Sequence, residues 1–253
     1  MIHAPTAVSE AMVLDALRGV IDPELDESLV DLGFIDGVRV DDGVVDVVLR
    51  LPTFWCAPNF AYLMANDARD AVLRQPGVRQ ARIALKDHMY GDEIGDGVSA
   101  GRPFSQLFDG QAEGDDLDAL RRLFFVKAFG MRQEQLVRFL LDERLTNREL
   151  TDLRVGDVID TSDRSGLVLR VSGDQWLFRG GAPLARMYLE RRERMAISAD
   201  RLITDECGRP IAADSLTEYL ERVRRQRISM IFNALMCRGM LETRYGLTKG
   251  EER

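Results

Sequence analysis

Residues 34–58 read FIDGVRVDDGVVDVVLRLPTFWCAP, and this stretch decides the fold of the first part of the chain. Two runs rich in β-branched residues, 34–40 and 44–51, flank an Asp42–Gly43 pair. An Asp-Gly pair between two such runs is a strong short-range signal for a β-hairpin. The sequence therefore predicts two antiparallel strands, followed by a loop that carries Cys56.

Helical patterns enclose this hairpin on both sides. Upstream, residues 9–21 have apolar residues at helical spacing, and Ser9 stands in the position of an N-cap. Downstream, residues 59–75 form a second amphipathic pattern, and residues 78–87 alternate as a third strand. This order of elements predicts a two-layer αββαβ domain with helices covering one face of the sheet.

The rest of the chain is predicted to be mostly α-helical, so the expected fold class is α+β. From His88 to about Asp116 the pattern becomes irregular and rich in Gly and Asp. The predicted divisions are an α/β domain, a linker and a mostly helical module that binds a partner: 1–100, 101–116 and 117–253. A capping box is expected where Thr146 precedes Glu149 by three residues. Residues 165–178 fit either a hairpin or a mixed segment.

Charge is spread unevenly along the chain. Residues 1–116 carry 9 Lys and Arg against 21 Asp and Glu, a balance of −12, whereas the whole chain carries −8, so the remainder carries +4. Such a difference supports two modules whose surfaces, or whose partners, attract each other. The overall acidity argues against nucleic acid as a partner, because phosphate would be repelled.

The sequence has no signal for membrane insertion, secretion or a disulfide framework. No apolar run approaches the roughly 20 residues of a membrane span. The first twelve residues lack the basic start and apolar middle of a secretory signal, and the three cysteines have no C-x-x-C spacing. These features predict a protein of the reducing cytoplasm without a membrane partner.

Several motifs follow one another along the first 100 residues. They are I-D-P-E at 21–24, D-L-G at 31–33, L-x-L at 49–51, the loop with Thr53 and Cys56, and G-V-x-x-A-R-I at 77–83. In this order they resemble the PaaD/SufT-like family of metal–sulfur (iron–sulfur) cluster assembly domains. That family usually has a T-x-x-x-G-C-P-like loop, whereas this chain has T-F-W-C-A-P, with Trp55 at the glycine position.

The resemblance implies a function as well as a fold. Family members are small αββαβ proteins that help to mature iron–sulfur or related metal centres, and the loop cysteine, here Cys56, is the residue most associated with that role. The long C-terminal extension looks like that of accessory proteins of soluble di-iron monooxygenase systems. The implied protein is a non-catalytic maturation factor. Its cargo is iron or a transient iron–sulfur cluster, and its partner is a client metalloenzyme or another accessory protein.

The residues near Cys56 suggest how a metal would be held. Cys56 lies just before a helix predicted to start near Asn59, where free backbone N–H groups favour a thiolate, the soft ligand for iron. Asp22 and Glu24, if they fold beside this loop, supply oxygen ligands or hydrogen bonds. The alternative for both carboxylates is a role as turn formers or helix caps.

His88 is the second candidate metal ligand. It ends the third strand, and that end lies near the start of the second helix in an αββαβ layout. A metal site made of Cys56, His88 and a carboxylate is therefore an expectation, with Glu24, Asp92 and Glu93 as the candidate carboxylates. The alternative is that His88 is structural or exposed to solvent.

Two other functions stay open at this point. A metal-free scaffold that has kept the fold is favoured by Trp55 at the glycine position. A thiol enzyme would need Cys56 and His88 within hydrogen-bond reach of each other. Cys207 and Cys237 lack zinc-type spacing and are interpreted as structural. The sequence leaves the client, the metal species and the oligomeric state open, a homodimer included.

Overall fold

The computed structural model describes residues 8–108, 117–162 and 166–246, and the chain divides into two compact units. The first unit comprises residues 1–121 with 230–253, and the second comprises residues 122–229. The predicted α+β class is confirmed. The domain bounds given above stay predictions, and residues 109–116 of the expected linker lie outside the described residues.

The elements of the first unit follow the predicted αββαβ order, with small additions. Its helices are α1 (Glu10–Arg18), α2 (Pro58–Leu73), α3 (Gly91–Ser99) and α4 (Phe104–Leu107). Its strands are β1 (Ile21–Asp22), β2 (Glu27–Ser28), β3 (Ile35–Asp41), β4 (Val44–Arg50) and β5 (Gln80–Lys86). The Ser9 side chain accepts a hydrogen bond from the Met12 amide, which confirms the predicted N-cap of α1.

The three-stranded sheet has the order β3-β4-β5. Strands β3 and β4 are antiparallel and turn at Asp42–Gly43, where φ is +40° and +75°. A side chain at Gly43 would place its Cβ 2.7 Å from the Gly77 carbonyl oxygen, so glycine is required there. Strand β5 runs parallel to β4, with Val47 opposite Ile83, and α2 makes the connection between them.

One face of this sheet carries the core of the first unit. Alternate residues of β4 and β5 are buried: Val45, Val47, Leu49, Ala81, Ile83 and Leu85. Ala234 and Leu241 belong to the same buried cluster, although they are distant in sequence. Each large apolar side chain buried in this way contributes about 1.5–3 kcal/mol relative to an exposed one.

Residues 91–99 are the clearest difference from the expected fold. They form helix α3, although GDEIGDG suggested irregular structure. A Cβ at Gly91 or Gly95 would lie 2.7 Å or 2.9 Å from a carbonyl oxygen of β5, so these glycines allow the helix to pack directly on the strand. Farther on, Phe104 and Phe108 are buried in the core of the first unit, so the start of the expected linker is part of that unit.

The second unit combines helices with a small sheet. Its elements are α5 (Leu117–Asp142, in this unit from Arg122), α6 (Asn147–Asp152), a 3₁₀ helix (Val155–Asp157), β6 (Val158–Asp160), β7 (Leu167–Val171), β8 (Asp174–Phe178), α7 (Ala182–Arg194) and the first part of α8 (Leu216–Tyr245). Strands β7 and β8 form the hairpin left open above, turning at Ser172–Gly173. The capping box of Thr146 and Glu149 is confirmed.

None of the described helices is both long and apolar enough to cross a membrane.

Candidate functional site

The candidate site is built on the loop between β4 and α2. Phe54 and Trp55 project from this loop, and Trp55 is 73% exposed. Cys56 is half-buried and packs against the core of the first unit, two residues before Pro58 begins α2. The loop therefore presents two aromatic side chains to solvent and keeps the sulfur partly covered.

The Cys56 thiol is protonated at neutral pH. Burial raises its pKa to about 12, and the charges of Asp22 and Glu24 and the neighbouring Cys237 act in the same direction. The Ala57 N–H group lowers this pKa but does not compensate for burial. The expectation that the start of α2 would favour a thiolate is therefore wrong for the metal-free protein, because desolvation outweighs the local N–H groups.

Asp22, whose charge affects this thiol, forms a turn of its own. Its Oδ1 accepts hydrogen bonds from the Glu24 amide at 2.8 Å and the Leu25 amide at 2.9 Å. Burial raises its pKa to about 6, against the lowering effect of those two amides. Asp22 thus acts as the turn former considered above, and it also places a buried negative charge near Cys56 at neutral pH.

Glu24 connects this turn to the last helix. Its Oε1 accepts a hydrogen bond from Asn233 Nδ2 at 3.1 Å. Three residues farther on, in β2, Glu27 forms an ion pair with Arg238. These contacts hold one face of the C-terminal part of α8 against the segment that carries Asp22 and Glu24.

Cys237 lies on that face of α8, one helical turn after Asn233. Burial raises the pKa of its thiol to about 11, and the charges of Asp22 and Glu24 raise it further. Cys237 in turn raises the pKa of Cys56, and the charges of Asp22 and Glu24 raise the pKa of both thiols, so these groups share one electrostatic environment. The sequence interpretation treated Cys237 as structural, and 181 positions separate it from Cys56 with no motif joining them.

The His88 side chain contacts the backbone carbonyl of Cys56 and not the Cys56 thiol. Its Nε2 lies 2.8 Å from the Cys56 carbonyl oxygen, and the Tyr90 amide donates to its Nδ1 at 3.2 Å. Nδ1 must then be the unprotonated nitrogen, so Nε2–H donates to the carbonyl. Burial lowers the pKa of His88, which keeps the ring neutral. The Met89 amide adds a second bond, to the Phe54 carbonyl at 2.9 Å.

The predicted metal ligands come together only in part. Cys56, Asp22 and Glu24 lie near one another, whereas both ring nitrogens of His88 are already in hydrogen bonds. Asp92 and Glu93 are exposed in the first turn of α3. Among residues 8–108, 117–162 and 166–246, no three His, Cys, Asp or Glu side chains are arranged to hold a metal ion. The set of Cys56, His88 and Glu24 therefore stays a prediction.

Replacing Asp22 by asparagine is expected to stabilise the protein at pH 7 by about 3 kcal/mol, and to change little near pH 4. The native state binds a proton more tightly than the unfolded chain, because the pKa of Asp22 is raised to about 6. The protonated Asp22 carboxyl thus contributes to the free energy of unfolding of wild type below pH 4. This contribution is lost as the pH rises to about 6. Asparagine keeps the Oδ1 acceptor and carries no charge.

Urea unfolding at several pH values measures this difference. The matched control is Asp31→Asn, at an exposed carboxylate that pairs with Arg18 at 3.5 Å; it should change the free energy of unfolding by less than about 1 kcal/mol at any pH. An Asp22→Asn protein whose advantage over wild type is the same at pH 4 and pH 7 would show that Asp22 does not have a raised pKa.

Comparison with known proteins places this site in a family. Residues 10–84 match the family described as iron–sulfur cluster assembly protein. An uncharacterized protein of Methanocaldococcus jannaschii is 35% identical over 88 residues, which cover 34% of this chain and 90% of that relative. The matched region contains Asp22, Glu24 and Cys56, while His88 and Cys237 lie beyond it. Through its residues 10–84, this chain belongs to the iron–sulfur cluster assembly protein family.

Proposed function

We propose that this protein is a non-catalytic maturation factor that takes up iron or an iron–sulfur cluster at Cys56 and passes it to a client metalloenzyme. The observation that carries the proposal is the position of Cys56 within the family match, on a loop with exposed aromatic side chains. The cluster is cargo in this scheme, so the site has to release it as well as hold it. A site with few ligands suits such release.

The charges around Cys56 support a cation as cargo. Asp22 and Glu24 make the surroundings of the two thiols negative, and that charge disfavours a bare thiolate. A bound metal ion reverses the balance, because a coordinating thiol is deprotonated outright. The protein thus keeps Cys56 neutral until metal arrives, and uptake is coupled to release of a proton.

A surface for the client lies beside the thiol. Phe54, Trp55 and Met89 are exposed, and the hydrogen bond between the Met89 amide and the Phe54 carbonyl joins them into one loop patch. Exposed apolar patches of this kind mark sites of protein interaction.

A soluble di-iron monooxygenase is the client class that the C-terminal extension suggests. The reducing cytoplasm is the compartment that free thiols favour.

Anaerobic reconstitution with ferrous iron and sulfide tests the proposal. The wild-type protein is expected to retain iron and to absorb visible light, while Cys56→Ala loses at least about 90% of both, because the sulfur ligand is gone. Cys207→Ala is the matched control, since Cys207 is an exposed thiol of the second unit. Iron retention by Cys56→Ala equal to that of wild type would remove Cys56 from the mechanism.

A metal-free scaffold is the second candidate function. It is favoured by the high pKa of Cys56 and by the lack of a three-ligand group among the described residues. Co-purification of an oxygenase subunit with the Cys56→Ala protein, together with no iron uptake by wild type, would select the scaffold. The thiol-enzyme alternative has less support, because His88 donates to the Cys56 carbonyl and the cysteine is a neutral thiol.

A further inference from the structure

The C-terminal helix α8 carries an uncovered apolar row. The row consists of large apolar side chains that are each 40–61% exposed: Ile228, Ile231, Phe232, Leu235 and Met236. Their spacing of three and four residues puts them on one face of the helix. A contiguous row of this kind on a surface helix, where polar residues are expected, indicates a binding surface.

The opposite face of the same helix is already in use. Ala234 and Leu241 are buried in the core of the first unit, and Asn233 bonds to Glu24. The helix is therefore anchored by one apolar face, while the second apolar face is exposed among the residues that the structure describes. The apolar row takes no part in this anchoring, so its exposure needs a separate explanation.

We propose that the apolar row pairs with the same row of a second copy of this chain, with the two α8 helices antiparallel. Antiparallel pairing about the point between Asn233 and Ala234 sets Phe232 opposite the second copy's Leu235, and Ile231 opposite its Met236. Over residues 231–236, large apolar residues of one helix thus lie at the same level as large apolar residues of the other helix. A two-fold dimer requires such a self-complementary surface.

In the same register, the large Ile228 side chain faces the open space beside Gly239 of the second copy. Ile228 lies opposite Gly239 of the second copy, and no atom lies within 4 Å of the position that a Cβ at Gly239 would occupy. A side chain of the facing helix can enter there, because small residues let helices approach closely. A partner of unrelated sequence has no reason to match this spacing.

Charge complementarity also selects this arrangement. Arg225 lies opposite Glu242 of the second copy, and both residues are exposed on α8. Two-fold symmetry repeats this ion pair at the other end of the row. A parallel pair would instead set Arg225 against Arg225 and Glu242 against Glu242, and like charges at an interface are repulsive.

The size of the row suits a weak to moderate dimer. Each half-exposed large side chain offers roughly 100 Å² of apolar surface, so two facing rows bury on the order of 1,000 Å². That value is the lower bound for a specific interface. We therefore expect a monomer–dimer equilibrium that depends on protein concentration.

Sedimentation velocity over a range of protein concentrations tests the dimer. Wild type should show the mass of a dimer at high concentration, and Leu235→Glu should remain a monomer throughout. The matched control is Leu177→Glu, because Leu177 is similarly exposed but belongs to β8 and not to α8; it should dimerise as wild type does. Circular dichroism checks that each variant keeps its helices.

Charge reversal tests the register. Arg225→Glu or Glu242→Arg alone should weaken dimerisation about tenfold, and the double variant should restore it, since the ion pairs re-form with opposite polarity. A wild-type protein that is monomeric at every concentration overturns the proposal, as does a double variant no better than the single ones. Iron uptake is measured separately, so failure here leaves the role of Cys56 untouched.

Discussion

Replacing Gln133 by leucine is expected to destabilise the second unit by about 4 kcal/mol. Gln133 is fully buried in α5, and its amide uses all of its hydrogen-bonding capacity. Its Nε2 donates to the Thr204 carbonyl and to the Tyr219 hydroxyl, each at 2.9 Å. Its Oε1 accepts from the Thr204 amide at 3.1 Å and lies 2.7 Å from the Tyr188 hydroxyl.

The size of this effect follows from the groups that lose their partner. Leucine has a similar volume, so the cost does not come from a cavity. The Thr204 N–H and C=O and the Tyr219 hydroxyl would stay in the interior without Gln133, and each buried unsatisfied group costs about 1–3 kcal/mol. The Tyr188 hydroxyl retains the Leu202 carbonyl and adds little to the loss.

Gln135→Leu provides the comparison within the same helix turn. Gln135 is half-buried and accepts one hydrogen bond, from Arg132 Nη1 at 3.2 Å. Its replacement should cost less than about 1 kcal/mol, because water can take over from the lost acceptor. Chemical denaturation measures both free energies of unfolding. Equal values for the two variants would mean that the Gln133 amide does not hold the second unit together.

The hairpin, the helices and the caps of the first unit could be predicted, because their signals are local. The Asp42–Gly43 turn, the Ser9 cap and the alternation of β5 each lie within a few residues of the structure they specify. Helix α3 could not be predicted in this way. Gly91 and Gly95 look like loop residues in sequence, but they are needed because β5 passes so close to the helix.

The candidate site was predictable for the residues inside the family motifs and, outside them, for His88. Asp22, Glu24 and Cys56 were identified from the sequence, and they lie near one another. Cys237 was not identified, because its relation to Cys56 depends on where α8 packs, and that packing rests on contacts such as Asn233 to Glu24. His88 was identified, but its hydrogen bond to a backbone carbonyl leaves no trace in sequence.

Iodoacetamide at pH 8 is expected to alkylate Cys56 about a thousand times more slowly than an ordinary exposed thiol, because the thiolate is the reactive form. A pKa raised to about 12 leaves a far smaller thiolate fraction at pH 8 than an ordinary cysteine pKa near 8.5 does. Cys237, with a pKa of about 11, should also react slowly. Exposed Cys207 is the internal reference, and mass spectrometry of the peptides follows all three.

Two comparisons separate pKa from simple blocking of access. In denaturant all three cysteines should react at one rate, since their surroundings are then equal. In the folded Asp22→Asn protein Cys56 should react faster than in wild type, because the nearby negative charge that raises its pKa is gone. Blocked access predicts no such gain. Labelling of wild-type Cys56 as fast as Cys207 would contradict the raised pKa.

This result bears directly on how a metal would be taken up. If Cys56 is neutral at pH 8, binding of iron has to displace a proton, so affinity should rise by up to about tenfold per pH unit for each thiol that binds. A thiol kept protonated is also protected from oxidation while it waits for cargo, because oxidation proceeds through the thiolate. In the proposed function, the carboxylates of Asp22 and Glu24 that suppress the thiolate would also attract the cation, so one arrangement would support both protection and uptake.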